Sequence, residues 1–192
     1  MNLAAMSTTE IIIIAAVVTI LAAVIGVWFF VGRRRTGRLQ NKFGRAEYSR
    51  AMEEGGSKRK AEAVLGARAE RVEKLNIQPL TAADRARFLE EWGRVQARFV
   101  DSPGGAVTSA DHLLGDVMSK RGYPVSDFDQ RSADISVDYP LVLENYRAGH
   151  QIALTQANGK ASTEELRQAM IHYRALFDEL VREPEMARAQ TA

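Results

Sequence analysis

The sequence predicts an all-α protein: one N-terminal transmembrane helix, basic juxtamembrane helices, and then a compact bundle of about five helices. Three observations predict it. Residues 11–31, IIIIAAVVTILAAVIGVWFFV, carry no charge. Beyond residue 58 apolar side chains recur near period 3.6 between cap signals, and no segment alternates with period two as a strand would. With 46% hydrophobic and 26% charged residues in 192, the chain is neither disordered nor collagen-like.

At about 1.5 Å per residue, Ile11 to Val31 reaches about 31 Å as a helix, enough for a hydrocarbon core of roughly 30 Å. The preceding tail, 1–10, contains no Lys or Arg, and the apolar run ends in Trp28-Phe29-Phe30 before Arg33-Arg34-Arg35. Aromatic residues at headgroup depth followed by a basic stop predict an uncleaved anchor rather than a signal peptide. Basic residues within about 20 positions of the span lie only on its C-terminal side, from Arg33 to Arg50. The expectation is therefore a single-pass membrane protein, its N-terminus outside and its C-terminal domain cytoplasmic. The absence of cysteine agrees with a reducing compartment.

The net charge of +2 hides a division. Residues 33–75 hold 13 Lys/Arg against 6 Asp/Glu, whereas residues 76–192 hold 13 against 17. The basic neck, 32–75, is expected to meet anionic inner-leaflet lipid, with Arg33, Arg34, Arg35, Arg38 and Lys42 as contacts. The acidic domain excludes a nucleic-acid partner, which would need basic residues on the fold. Within the neck, 38–54 reads as a helix weakened by Gly44, Gly55-Gly56-Ser57 as a break, and 58–75 as an amphipathic helix with Ala61, Val64, Leu65, Val72 and Leu75 on one face. A short coiled-coil seam through Arg68 is too brief to assign.

The soluble domain is expected over 76–182, with a frayed tail at 183–192. Thr81 and Asp84 open a helix whose stripe Phe88, Trp92, Val95, Phe99 predicts a core face. Ser102-Pro103 starts the next, with Val107, Ala110, Leu114, Val117 and Met118 inward. Arg121-Gly122-Tyr123-Pro124 is a stop signal. Ser126 with Asp129 caps a short helix ending near Ile135, Asp138-Tyr139-Pro140 opens another that stops at Asn158-Gly159, and Ser162 with Glu165 is a capping box for the last. That last helix runs to Glu183-Pro184, with Leu166, Ala169, Met170, Tyr173, Leu176, Phe177 and Leu180 along its apolar stripe. The core is expected to include Trp92, Phe99, Tyr173 and Phe177.

Chemistry is scarce. There is no thiol, no H-E-x-x-H and no G-x-S-x-G. Asn158-Gly159-Lys160-Ala161-Ser162 departs from a phosphate loop at Leu154 and Ala161. His112 and Asp116 share a helix face, but the other histidines, His150 and His172, belong to other helices, so no metal site is assigned. The pairs Asp111/Asp116 and Asp127/Asp129 read as helix-start charges. No catalytic, cofactor-binding or metal-ligating residue is assigned, and the expectation is a non-enzyme without a cofactor.

Several ordered segments nevertheless carry a resemblance: Phe43-Gly44-Arg45-Ala46-Glu47-Tyr48, Arg71-Val72 to Pro79-Leu80, Trp92 through Pro103, Arg121-Gly122-Tyr123-Pro124, Ser136 to Pro140, Asn145-Tyr146-Arg147 with His150, and Leu166 to Phe177. Over roughly residues 30–182 the chain resembles a family of bacterial single-pass membrane proteins with a helical cytoplasmic-side domain and no assigned activity. The resemblance implies an address and a fold, and departs at Tyr139, where the family leads one to expect His. Two functional expectations follow. One is a membrane-tethered helical interaction or scaffold module acting on another protein at the cytoplasmic face. The other is a small-molecule or lipid-binding domain with a pocket between the last two helices, lined by Tyr146, His150, His172 and Tyr173. Convergent polar groups around a cavity would favour the second; a filled core with an exposed apolar groove would favour the first.

Overall fold

A computed structural model describes residues 8–124 and 127–182, with the side chains at 8–16, 24–25 and 27–35 outside the description. Among the described residues every regular element is α-helical: α1 Thr8–Gly55, α2 Lys58–Glu73, α3 Ala82–Arg98, α4 Pro103–Arg121, α5 Phe128–Asp138, α6 Leu143–Ala157 and α7 Thr163–Val181. Among those residues no helix is long and apolar enough to cross a membrane. Most side chains of the expected span Ile11–Val31, and those of Arg33, Arg34 and Arg35, lie outside the described set, as do Ser126, Pro184 and the tail.

Local chemistry accounts for the helix ends. Gly44, at φ 73° and ψ 170°, breaks α1 into two arms, the role expected of a glycine that alone takes this backbone region cheaply. Ser57 caps α2 and Thr81 caps α3 through their hydroxyls. The α4 stop is a Schellman arrangement: Gly122 is left-handed at φ 101°, its N–H bonds to Ser119 O at 3.0 Å, and Tyr123 N–H bonds to Met118 O at 3.0 Å. At Gly122 a side chain would also collide with the Asn76 carbonyl. Ser162 and Glu165 form the full capping box of α7.

Two starts differ from expectation. The cap of α5 is Asp127, whose carboxylate accepts from Gln130 N–H, and that helix continues past Ile135 to Asp138. Pro140 does not open α6. Tyr139 leaves the helix at φ −129°, a turn through Pro140 and Leu141 closes with Val142 N–H on Tyr139 O, and α6 starts only at Leu143.

Helices α3, α4, α6 and α7 surround the main core, built on Phe88, Trp92, Leu114, Tyr146, Tyr173 and Phe177. Phe99, expected inside, is only partly buried, because α3 ends at Arg98 and the ring lies at the bundle's margin. A second cluster joins Leu39, Phe43, Tyr48 and Ala51 of α1 to Ala61, Leu65 and Val72 of α2 and to Val137 of α5. Leu75 and Ile77 pack against both clusters. The apolar face of 58–75 is therefore covered by its own chain, as an α1/α2 hairpin seated on α5. Val64 is the exception and stays half exposed.

Buried charge ties the hairpin down. Glu47, 2% exposed, accepts from Arg68 Nη1 at 2.5 Å and from Arg147 Nη1 at 2.6 Å, linking α1 to α2 and α6. Asp134, equally buried, accepts from Arg71 Nε at 2.9 Å and from Gln130 Nε2 at 3.0 Å. Two of the cations counted as neck charge, Arg68 and Arg71, thus pair with buried carboxylates, while Arg38 and Lys42 remain exposed on α1.

Candidate binding site

Of the four residues expected to line a pocket between the last two helices, three converge. Tyr146 and His150 on α6 meet Tyr173 on α7, with the two tyrosine rings 6.2 Å apart. His172 does not join them; its Nδ1 lies 3.0 Å from Asn145 Oδ1, on the neighbouring face of the helix pair. Three residues that sequence reasoning did not place there, Asp111, Arg131 and Phe128, complete the cluster. Arg131 of α5 approaches Asp111 at 3.9 Å, and His150 Nδ1 lies 4.0 Å from the same carboxylate. Phe128 stacks on the His150 imidazole at 3.6 Å with the rings nearly parallel.

Asp111 is not a helix-start charge, contrary to expectation. It sits mid-way along α4, one position beyond the buried Ala110 and three before the buried Leu114. A charge set inside an apolar stripe was the available signal. The reading of Asp127 and Asp129 does hold: one caps α5 and the other lies in its first turn.

The cluster is dense in polar atoms that lack a partner. Tyr146 Oη, Tyr173 Oη, Asp111 Oδ1, His150 Nδ1 and Arg131 Nε are all buried without a hydrogen bond among the described residues. Both tyrosines are fully buried. At Gly149 an added Cβ would stand 2.8 Å from two Tyr173 ring carbons, so α6 and α7 touch where a pocket would have to open. Burial raises both phenols above their ordinary range, Arg131 opposing and Asp111 reinforcing the shift.

Burial lowers the His150 pKa below its ordinary 6.5; Asp111 pulls upward, and Arg131 adds to the lowering. A histidine depressed in the folded state is protonated first in the unfolded chain, so its contribution is present above about 6.5 and declines as pH falls through the depressed value. Thermal melting of the full chain should weaken on that acid side, and His150→Gln should flatten the slope. An unchanged slope in the variant would remove His150 from the titration.

The exposed apolar surface lies elsewhere. Between α3 and α7 runs an open groove of about 320 Å³ whose lining is mostly apolar: Trp92, Phe99, Met170 and Ile171, with Gln96. Among the described residues its charged lining residues are Arg167 and Arg174. Trp92 is covered from behind by Phe177, stacked at 4.7 Å, and the Arg174 guanidinium lies 5.6 Å from its ring. Ile171 is half exposed.

His112 is exposed and lines a separate cleft with Glu91 and Asp116. Among the described residues no group of three or more His, Cys, Asp or Glu could hold a metal ion. Comparison with protein-family models, curated proteins and solved structures finds no match to this chain.

Proposed function

We propose that the protein is a membrane-tethered helical interaction module, anchored by residues 11–31 and presenting its bundle to a protein partner at the cytoplasmic face of a bacterial inner membrane. The observation that carries this reading is α1. Its helical backbone runs from the uncharged 21-residue segment to Phe43, just before the Gly44 break, and the buried side chains of Leu39 and Phe43 fasten that same arm to α2 and α5. Val17, Val18, Ile20 and Leu21 are each at least half exposed, so the rest of the described residues leave this apolar surface uncovered. Water would penalise that surface, and a bilayer would cover it. Arg38 and Lys42, exposed just beyond the span, suit anionic inner-leaflet lipid.

For the bundle, a filled core with an open apolar groove supports docking of a partner over enclosure of a small molecule or lipid. The convergent groups of α4 to α7 are packed rather than open: both tyrosines are fully buried, and the Asp111, Arg131 and His150 side chains are 17–20% exposed. Topology is testable with reporters fused after residue 182. A fluorescent reporter that matures only in the cytoplasm should light up, a phosphatase active only outside it should stay silent, and the chain should float with membranes after carbonate extraction. A soluble chain, or the reverse reporter pattern, would remove the anchor and its orientation.

A further inference from the structure

We infer that the α3–α7 groove seats an acidic amphipathic segment of the partner, one presenting two large apolar side chains between carboxylates about two helical turns apart. The inference rests on the tethered-module reading and names the chemistry of its partner. The groove follows α3 from Trp92 to Phe99, seven residues or about 10 Å, the length of two helical turns. Its floor is apolar, so it takes apolar anchors, which on a helix recur three or four residues apart.

The charges select the flanks. Arg167 and Arg174 stand seven residues apart on α7, about 10 Å along its axis, and among the described residues no carboxylate lines the groove with them, their own partners Glu164 and Asp178 standing outside its lining. Arg167 donates to Glu164 through Nε and Nη2, at 2.8 and 2.6 Å, so that among the described residues Nη1 is left for a ligand. Arg174 holds Asp178 through Nε at 2.7 Å while its guanidinium lies over Trp92. Two guanidiniums at that separation match two carboxylates on one helix face. A fatty acid brings a single carboxylate, and the open trough would leave much of its chain wet, whereas ligand sites normally enclose most of such a molecule. The α1/α2 hairpin packs on α5, so the groove lies clear of the tether.

The test uses the full chain in phosphatidylcholine nanodiscs. The probe is a fluorescein-labelled 14-residue helical peptide of Leu, Ala and Glu, with leucines on one face and glutamates two turns apart. Saturable binding by anisotropy is expected, with Arg167→Glu/Arg174→Glu weakening it about tenfold. Ile171→Glu should also abolish it, and a peptide with Lys in place of Glu should prefer the double variant. All three positions are surface side chains, and unchanged melting of each variant shows that the fold is intact. The inference is overturned if the peptide fails to bind, or if the Lys peptide binds the unmodified chain equally well. It is also overturned if binding appears only after removal of residues 183–192, which would make the chain's own tail the occupant, or if oleate alone fills the groove. Flotation of the same preparation reads the anchor separately, so a failed groove leaves the tether standing and a failed tether is seen as such.

Discussion

Trp92→Ala is expected to cost about 3–5 kcal/mol, lowering the melting temperature of the detergent-solubilised chain by roughly 6–20 °C. The indole is 1% exposed, stacks on Phe177 at 4.7 Å with a 22° interplanar angle, and joins α3 to α7 across the main core. Its removal leaves a cavity bounded by two helices that other contacts hold apart, so collapse cannot recover the loss. Trp92→Phe should cost much less, because the stack survives and the indole Nε1, buried without an acceptor, is no longer present. His112→Ala, on an exposed face, should change stability by under about 0.5 kcal/mol. Circular dichroism melting reads all three. A Trp92→Ala chain that melts with the parent would show that the α3 stripe is not a core face.

Glu47→Ala should cost a similar amount, about 3–5 kcal/mol, for a different reason. Its carboxylate is shared by Arg68 and Arg147, whose side chains are 17% and 18% exposed, and its loss leaves two largely buried cations facing each other. Replacing all three residues by apolar ones of similar volume should restore much of the stability, since the desolvation cost then disappears with the charge. Burial pushes the Glu47 pKa up, but the hydrogen bonds and charge of Arg147, with Arg68 behind them, outweigh it and hold it below the ordinary 4.5. The sign follows. A carboxylate depressed in the folded state stabilises above the unfolded value, and that contribution is lost as pH falls through the folded one. Melting temperature should therefore drop on acidification below about 4.5, and Glu47→Gln should start lower and show a shallower acid limb. An acid limb identical in the variant would mean that other carboxylates govern it.

The helices were legible because their ends are written in short-range chemistry. Thr81, Ser162 with Glu165, Gly122 and Gly44 act within a few residues of themselves, and each does what its type and position predict. The α6 start failed for the complementary reason. Pro140 marks a first turn equally well in a helix or in a loop, and only the departure of Tyr139 from α5 makes it a loop. Of the pocket residues, Tyr173 was legible as part of the apolar stripe of α7, and Tyr146 entered only through the expected pocket. His172 was not excluded, because residues 172 and 173 differ by 100° of rotation and only the packing of α6 decides which one faces in.

Long-range partners were beyond reach. Glu47 and Arg147 are a hundred residues apart, and Arg71 and Asp134 sixty-three, and in sequence each is an ordinary surface charge. The residues alone settle the helical class, most helix boundaries and the uncharged stretch at 11–31, because period, caps and hydropathy are local properties. Packing decides that the basic hairpin belongs to the bundle, that Asp111 and Arg131 join the tyrosines, and that an open apolar groove lies between α3 and α7. Those outcomes depend on which helix faces meet, and faces far apart in the chain are brought together only by burying one common core.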